Sequence, residues 1–396
     1  MNQFNKEILD ALSSDSKTSL KDVFRNQLEQ TVNTLLQEEL SAVLGYQPYE
    51  RNDSSAHGNN ARNGSYQRTI DTEFGPINIT VPRDRKNKFR NALFEPYSRR
   101  TDTLESTIIK MYSKGITTRE IADLVECMYG DYYSPTTVSN ITKQVGNLVE
   151  EFHDRTFKHS QYVCVFLDAT YIPLKRGTVE REAVNIAIGI RSDGGKEVLD
   201  FSVAPNENGE AWRELLESLR NRGIEQVQLF IADGFIGLEN VIAEIYPTAK
   251  FQRCLVHVLR NLTSHVRKSD MRDLMSEFKE IRQSESLEEA KQALDNFILK
   301  WESKYSNQMR KLGKLNNLFT FYEFPPSIRA SIYSTNLIEA FNKKLKKKIR
   351  QKEQFPNEDA LQRFVTTQIL EYNDKFEERA HRGFRGNKDT LDSMFI

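Results

Sequence analysis

Three acids in this chain stand where carboxylates carry chemistry. Asp168 closes the β-branched and aromatic part of the run Tyr162–Tyr171, YVCVFLDATY. Asp233 closes a second run of the same kind, Val227–Gly234, VQLFIADG. Glu339 lies in STNLIEAFNKKLKKKIR, a helical stretch that turns strongly basic. Carboxylates from separate elements, brought together, supply the hard oxygen ligands that divalent cations take. Two such ions on an in-line phosphoryl transfer activate the attacking oxygen and stabilise the leaving one. Without metal, two carboxylates about 4 Å apart repel by roughly 4 kcal/mol at an effective dielectric of ~20. A divalent cation is therefore the expected partner, and a raised pKa on one acid the expected metal-free compromise.

Each acid also has a plain structural account. Asp168 could simply end a strand, Asp233-Gly234 could be a turn that caps the next helix, and Glu339 could complete a capping box opened by Asn336. Taken together they make a pattern those accounts do not require: two acids ending buried strands, and a third on a basic helix. That helix has a buried stripe of Ile338, Phe341, Leu345 and Ile349, with Glu339, Lys343, Lys346 and Arg350 on the adjacent stripe. Between Ala340 and Lys352 there are seven Lys or Arg and no Asp or Glu. If all seven met phosphates, the salt slope of binding would approach about −6, and fewer contacts are expected.

The elements that must position these acids follow the pattern of an α/β domain. The strand at 162–168 is followed by 183–191 and 197–204, the last two joined by Gly194-Gly195. A helix over 210–222 then leads to 227–232, a helix near 238–246 and a short strand at 249–252. Meandering strands, a crossover helix and a further strand describe a ribonuclease-H-like sheet. The right-handed crossover would lay 227–232 parallel to and beside 162–168. Both acids would then lie near the carboxyl ends of neighbouring strands, where open α/β sheets put their ligands. Helices expected at 271–282, 287–303 and 307–312 make residues 255–330 an all-helical insertion, with Pro325-Pro326 at its end.

The N-terminal part is built differently. Residues 19–44 form an amphipathic helix through Leu20, Val23, Phe24, Leu28, Val32, Leu35, Leu36, Leu40 and Leu44, stopped by Gly45, with a packing or a dimer-forming role. A loop at 46–64 precedes a hairpin, 66–72 and 77–81, around Phe74-Gly75-Pro76. Arg62, Arg68, Arg83, Arg85, Lys86, Lys88 and Arg90 surround it, either a solvated face or a phosphate-binding one. Residues 103–146 read as a helix-turn-helix: Leu104, Ile108, Met111 and Tyr112 to Gly115; a Thr117/Glu120 capping box before Ile121, Leu124 and Val125; then Ser134-Pro135 opening a third helix. That helix offers Thr136, Thr137, Ser139, Asn140 and Lys143, with Val138, Ile141 and Val145 inward, as a major-groove reader or a plain trihelical packing unit.

Composition sets the limits. The chain has 396 residues, 38% hydrophobic and 28% charged, with formal net charge zero, ordinary for a soluble globular protein of two or three domains. No apolar run is long enough for a membrane helix, and the first residues lack a signal-peptide core. Cys127, Cys164 and Cys254, odd in number and far apart, fit a reducing cytosol. The expected divisions are 1–60 (helix and loop), 61–100 (basic hairpin), 101–150 (helix-turn-helix), 151–254 (catalytic domain, first part), 255–330 (insertion) and 331–396 (catalytic domain, second part).

The blocks RNGSYQRTIDTEFGPINITVPRDR, GITTREIADLVECMYGDYYSPTTVSNIT, FLDATYIPLKRG, LFIADGFIGLENVI, FQRCLVHVLRN and YSTNLIEAFNKKLK, in this order, make the chain resemble the Mutator-like transposases of bacterial insertion sequences. The resemblance spans nearly the whole chain. It implies an Asp-Asp-Glu triad at Asp168, Asp233 and Glu339, 65 and 106 positions apart, on a ribonuclease-H-like fold. It further implies two Mg²⁺ ions, replaceable by Mn²⁺, and double-stranded DNA as partner, both terminal inverted repeats and target. The DNA contacts would come from Arg62, Arg68, Arg83, Arg85, Lys86, Thr136, Thr137, Ser139, Asn140, Lys143, Lys343, Lys346, Lys347 and Arg350. A homodimer or larger assembly on DNA, cytoplasmic and nucleoid-associated, completes the expectation. The family's Cys-x2-His motif falls on Cys254 and His257; alone it is half a zinc site, and a catalytic His257 near the triad is the preferred reading. Trp212 is expected in the core, and Trp301 in core packing or stacked on a displaced base.

Overall fold

The computed structural model describes residues 19–47, 60–72, 74–91, 93, 102–113, 116–129, 134–143, 145–350 and 352–395. Gly115, the stretch 130–133, most of the 46–64 loop and the side chains of Leu104, Lys143 and Val145 lie outside the described residues. The chain divides into two compact units, Met1–Gln144 and Val145–Ile396.

In the first unit, helix α1 (Leu20–Leu44) starts with a capping box between Ser19 and Asp22 and ends at Gly45, whose φ of 79° suits glycine. Val32 and Leu36 of α1 pack on Ile70, Ile77, Ile79 and Val81 of a hairpin, β1 (Arg62–Thr72) and β2 (Gly75–Asp84). The outer edge of β2 is covered by α1: Asn33 accepts from Thr80 N at 2.7 Å and Glu29 from Asn78 N at 2.8 Å, satisfying edge donors that would otherwise be open to another strand. Phe24 and Leu35, expected on the buried stripe, are exposed. Three short helices follow, α2 (Asp102–Ser113), α3 (Thr118–Tyr129) and α4 (Pro135–Lys143). Thr117 and Glu120 form the expected box, the Glu120 carboxylate accepting from Thr117 N at 2.9 Å. Ser134 caps α4 by accepting from Thr137 N at 3.0 Å. Ile108, Ile121, Val125, Val138 and Ile141 are buried; Leu124 is exposed, and Ala122 fills the inward position instead.

The second unit opens with α5 (Val145–Asp154) and is built on a sheet of five strands: β3 (Gln161–Lys175), β4 (Val179–Ile190), β5 (Lys196–Ala204), β6 (Gln226–Ala232) and β7 (Lys250–Arg253), in the order β5-β4-β3-β6-β7. β3–β4–β5 is an antiparallel meander, and β6 runs parallel to β3. Helix α6 (Gly209–Asn221) makes the crossover, and α7 (Leu238–Ile245) joins β6 to β7. Trp212, Leu215, Leu216 and Leu219 of α6 and Val241, Ile242 and Ile245 of α7 pack with Val165, Leu167 and Phe230 on one sheet face. Side chains alternate along a strand, so Asp168, next to Leu167, points to the opposite face.

Helices α8 (Leu255–Thr263), α9 (Lys268–Ile281), α10 (Leu287–Leu312), α11 (Pro326–Ile332), α12 (Asn336–Ile349), α13 (Glu358–Phe376) and α14 (Lys388–Ser393) complete the unit. The expected break between residues 303 and 307 is observed: Tyr305, at φ −134° and ψ 51°, is not helical and divides α10 into two helices across a kink. The Tyr305 hydroxyl donates to Asp270 at 2.8 Å and accepts from Arg267 N at 3.2 Å, tying the kink to the start of α9. Trp301, 5% exposed, donates to Glu277 at 3.0 Å and lies between Phe297 and Tyr305. It is packed between α9 and α10, the core position expected for it. No described helix is long and apolar enough to cross a membrane.

A candidate acidic site in a basic cleft

The offset between β3 and β6 fixes two of the acids. Gln161 pairs with Gln226, and Phe166 with Ile231, the same offset throughout. Carried two residues further, that register sets Asp168 level with Asp233. Asp233 lies just past the end of β6, as expected. Asp168 does not end its strand. β3 runs on to Lys175 because the antiparallel ladder with β4 continues to the Lys175–Val179 pair after the parallel ladder stops. The acids therefore stand where β3 loses one neighbour and keeps the other.

Asp233 is held by its own turn, its Oδ1 accepting from Phe235 N at 3.1 Å. Gly234 has φ 85°, and a Cβ there would overlap the Arg253 guanidinium, which donates to Gly234 O at 3.0 Å. The left-handed φ favours glycine there.

Glu339 reaches the site from α12, in its first turn. The expected stripe is observed: Ile338, Phe341, Leu345 and Ile349 are buried. Asn342 is buried as well, and its Nδ2 donates to Asp168 Oδ2 at 2.8 Å. Glu339 faces α8, where Oε1 lies 3.2 Å from His257 Nε2 and Oε2 lies 3.6 Å from Arg260. His257 and Arg260 are one turn apart on α8, so one helix face presents both. Cys254 begins that helix, and its backbone N donates to Ala232 O at 2.7 Å, docking α8 beside the end of β6. Thr335, just before α12, donates from Oγ1 and N to Cys254 Sγ at 3.2 and 3.3 Å, and its Oγ1 lies 3.3 Å from His257 Nδ1. Cys254, His257 and Thr335 thus join the starts of α8 and α12.

The electrostatics follow from this packing. Burial pushes the Asp168 carboxyl up to about 6; the Asn342 hydrogen bond opposes it, and the Asp233 and Glu339 charges add to it. His257 is raised, first by hydrogen bonding with Cys254 and then by the charges of Cys254, Glu339 and Asp233. At Cys254 burial pushes up, but hydrogen bonds from His257 and Thr335 outweigh it and the thiol is lowered. Glu207, in the loop before α6, is raised by burial and by Asp233, while accepting from Trp212 Nε1 at 3.0 Å.

A cleft of about 820 Å³ runs along α12, lined by Asp168, His257, Arg260, Glu339, Lys343 and Lys346 together with Lys347 and Arg350. Two expected cations lie elsewhere: Lys348 pairs with Glu371 at 2.9 Å, and Lys352 covers the Phe364 ring at 5.2 Å. Among the described residues no three His, Cys, Asp or Glu side chains surround one point closely enough to hold a metal ion. Three carboxylates without a cation repel one another, and here each is held by a different partner: Asn342, Phe235 N and the His257–Arg260 pair. The donor set nevertheless fits a hard cation. Asn342 Oδ1 is buried without a hydrogen bond, as an oxygen kept for a ligand would be, while Glu339 Oε1 has its ion-pair contact with His257.

In the first unit, Arg83, Arg85 and Lys86 are exposed around the hairpin, and Thr136 and Asn140 on α4. Arg68, Thr137 and Ser139 are half-buried. Arg62 is turned inward: its guanidinium donates to Ser41 Oγ at 2.7 Å and Tyr46 O at 3.1 Å and lies 4.9 Å from the Tyr46 ring. It joins β1 to the end of α1.

Sequence reasoning missed Asn342, Arg260, Thr335 and Glu207. Asn342 and Thr335 carried a signal, three residues after and four before Glu339, and Arg260 falls three after His257. Glu207, in the polar loop PNENG, carried none.

The site is thus a sheet that carries two acids at one end, beside a helix that lines a cleft with lysine and arginine. The model of the Mutator family of transposases matches residues 2–379. The chain belongs to that family. It is 48% identical over 395 residues to the transposase for insertion sequence element IS905 of Lactococcus lactis, covering 100% of both chains. It is 49% identical to the transposase for IS1201 of Lactobacillus helveticus, over 94% of this chain and 100% of that one. It is 28% identical to the transposase for IS256 in transposon Tn4001 of Staphylococcus aureus, over 90% and 91%.

Proposed function

We propose that this chain is a DNA transposase that binds the terminal inverted repeats of its own element, cleaves strand ends and joins them to DNA by metal-dependent transesterification. The observation that carries the reading is the β3–β6 register, which continued two residues past its last pair brings Asp233 level with Asp168, together with Glu339 in the same basic cleft as Asp168. The sheet order and the helical stretch before Glu339 support a ribonuclease-H-like fold with an insertion.

Asp168, Asp233 and Glu339 would hold two Mg²⁺ or Mn²⁺ ions, which when bound would activate the attacking oxygen and stabilise the leaving one. Asn342 orients Asp168. His257 and Arg260 hold Glu339 at the cleft wall. A protonated His257 also offers a cation beside the scissile phosphate. Lys343, Lys346, Lys347 and Arg350 bind the DNA backbone, contacts that set affinity and position without reading sequence. The basic hairpin and α2–α4, read as a helix-turn-helix, bind the repeats through Arg68, Arg83, Arg85, Lys86, Thr136, Thr137, Ser139, Asn140 and Lys143. Two ends must be paired, so at least a homodimer acts on DNA; α1 leaves Leu35 44% and Val43 54% exposed, apolar surface suited to such pairing. The setting would be the cytoplasm and nucleoid.

The test incubates DNA from the two flanks of the gene with purified protein and Mg²⁺ or Mn²⁺, with Asp168→Asn in parallel. Sequenced products carrying joined ends, made only by the unmutated protein, are expected. Cleavage without joining would make the protein a nuclease on the same fold, and binding alone a DNA-binding regulator.

A further inference from the structure

Helix α12 separates two cavities. One is the acidic and basic cleft already described. The other, about 360 Å³, is lined by Lys196, Asn336, Lys344, Tyr372, Phe376 and His381 among others. Ala340 and Lys344 line both.

Four cations gather around the Phe376 ring in this region. Lys196 Nζ lies 4.6 Å from the ring centre, Lys375 Nζ 5.6 Å, Lys344 Nζ 5.8 Å and the Arg379 guanidinium 6.0 Å. Among the described residues none of the four has a carboxylate at ion-pairing distance. Of the acids on the same segment, Glu377 pairs with Lys158 and Glu371 with Lys348, and Asp374 and Glu378 lie beyond ion-pairing distance of the four. His381 supplies no countercharge: its Nδ1 lies 3.4 Å from Lys196 Nζ, and burial, helped by Lys196, pushes the ring down to about 4. Like charges brought together in a partly dry cavity repel more strongly than in water. The protein nevertheless builds this arrangement firmly. His381 N donates to Gly194 O at 2.7 Å, and Arg191 donates to Glu377 O at 3.0 Å, strapping the segment after α13 onto the β4–β5 turn. The first residues of α12, a helix without a side-chain cap, line the same cavity, and the positive end of the helix adds to its field.

We propose that this cavity is a second phosphate subsite, which takes a backbone phosphodiester of the DNA strand lying in the cleft, passed over α12 at Ala340 and Lys344. Lys196 and Lys344 in the lining neutralise the phosphate, Arg379 adds its charge from beside the Phe376 ring, outside the lining, and Tyr372 and Phe376 give the adjoining sugar or base an aromatic wall. The subsite rests on reading the cleft as the DNA site, and it would fix the path of the strand away from the acids.

The test uses two probes that carry no element sequence, a labelled thymidine oligomer and a duplex of equal length, with the full chain. Lys196→Gln/Arg379→Gln should weaken binding of at least one probe about 5- to 30-fold and flatten the salt slope by about 1 to 2. Lys196→Arg/Arg379→Lys should restore both. The probe that responds identifies single strand or duplex as the occupant. Should the double Gln variant fail to fold, Arg379→Gln alone, at an exposed residue, carries the test. Unchanged affinity and slope overturn the subsite, and so does failure of the unmutated protein to bind either probe, because the cavity is formed without element DNA. Absence of joined ends beside normal charge-dependent binding would instead sink the transposase reading and leave the subsite standing.

Discussion

Asn342 Nδ2 donates to Asp168 Oδ2 at 2.8 Å, tying the helix that carries Glu339 to the strand that carries Asp168. Both side chains are largely shielded from water, so the bond both positions the acid and favours its ionised form. Replacing Asn342 with Ala should raise the Asp168 pKa above its present value of about 6. The acid limb of the cleavage rate against pH should move upward, with a loss of about 10-fold or more near neutral pH. An unmoved acid limb would mean that Asp168 does not set it.

Asp168 also makes stability depend on pH. Its carboxyl titrates near 3.8 when unfolded and at about 6 in the fold. The native state therefore binds the extra proton between those values, and stability falls as pH rises through that window. Above it, the metal-free protein carries a penalty on the order of 3 kcal/mol at most. Asp168→Asn should thus raise the Tm of the metal-free protein at pH 7, by the equivalent of about 1–3 kcal/mol, and leave it unchanged below about pH 4. Mg²⁺ or Mn²⁺ should raise the Tm of the unmutated protein and not of the variant. A variant less stable than its parent at pH 7 would overturn the account.

Cys254 and His257 act as a pair. The thiol is the first cause of the raised imidazole pKa, and the imidazole is a main reason the thiol is lowered. Cys254→Ser replaces the thiol by a hydroxyl that does not ionise in this range. The His257 pKa should fall, and the alkaline limb of cleavage should move to lower pH while DNA affinity at low pH stays the same. If the alkaline limb does not move, His257 has no charged role in the reaction.

On the basic helix the structure separates cations that the sequence left equivalent. Lys343, Lys346 and Arg350 line the cleft, whereas Lys348 is paired with Glu371 and Gln368. Changing Lys343, Lys346 and Arg350 together to Gln should reduce the salt slope of DNA binding by up to about 3. Lys348→Gln should leave the slope unchanged. Equal effects from both would show that the helix binds through a diffuse field and not through one face.

The site was legible in the sequence to the extent that it rests on local pattern. Asp168 and Asp233 close apolar strands, and the constant register of β3 and β6 turns their spacing into proximity. The α12 stripe follows from helical period alone. What sequence could not give depends on partners far along the chain. β3 runs past Asp168 because β4 keeps pairing with it, and Arg62 turns inward because Ser41 and Tyr46 meet it there. Asn342 stands among lysines, three residues after Glu339, and only the fold sets it opposite Asp168.

Glu207 is the sharpest case, and it yields the last prediction. It lies in a polar loop before α6, and it is placed by Trp212 Nε1, which donates to it at 3.0 Å from a fully buried ring. Its carboxyl is raised by burial and by Asp233, and further by Asp168, so it senses both strand acids. Bringing a cation to Asp168 and Asp233 would offset that repulsion and lower the Glu207 pKa, favouring its charged form. Glu207→Gln keeps the acceptor for Trp212 and removes only the charge. It should weaken Mn²⁺ binding several-fold and slow cleavage less than Asp168→Asn does, with the metal-free Tm at pH 7 no lower than that of the unmutated protein. Trp212→Phe, which frees Glu207 from its anchor, should reproduce part of the loss. If Glu207→Gln binds Mn²⁺ and cleaves as the unmutated protein does, the fourth acid serves only to seat Trp212 in the core.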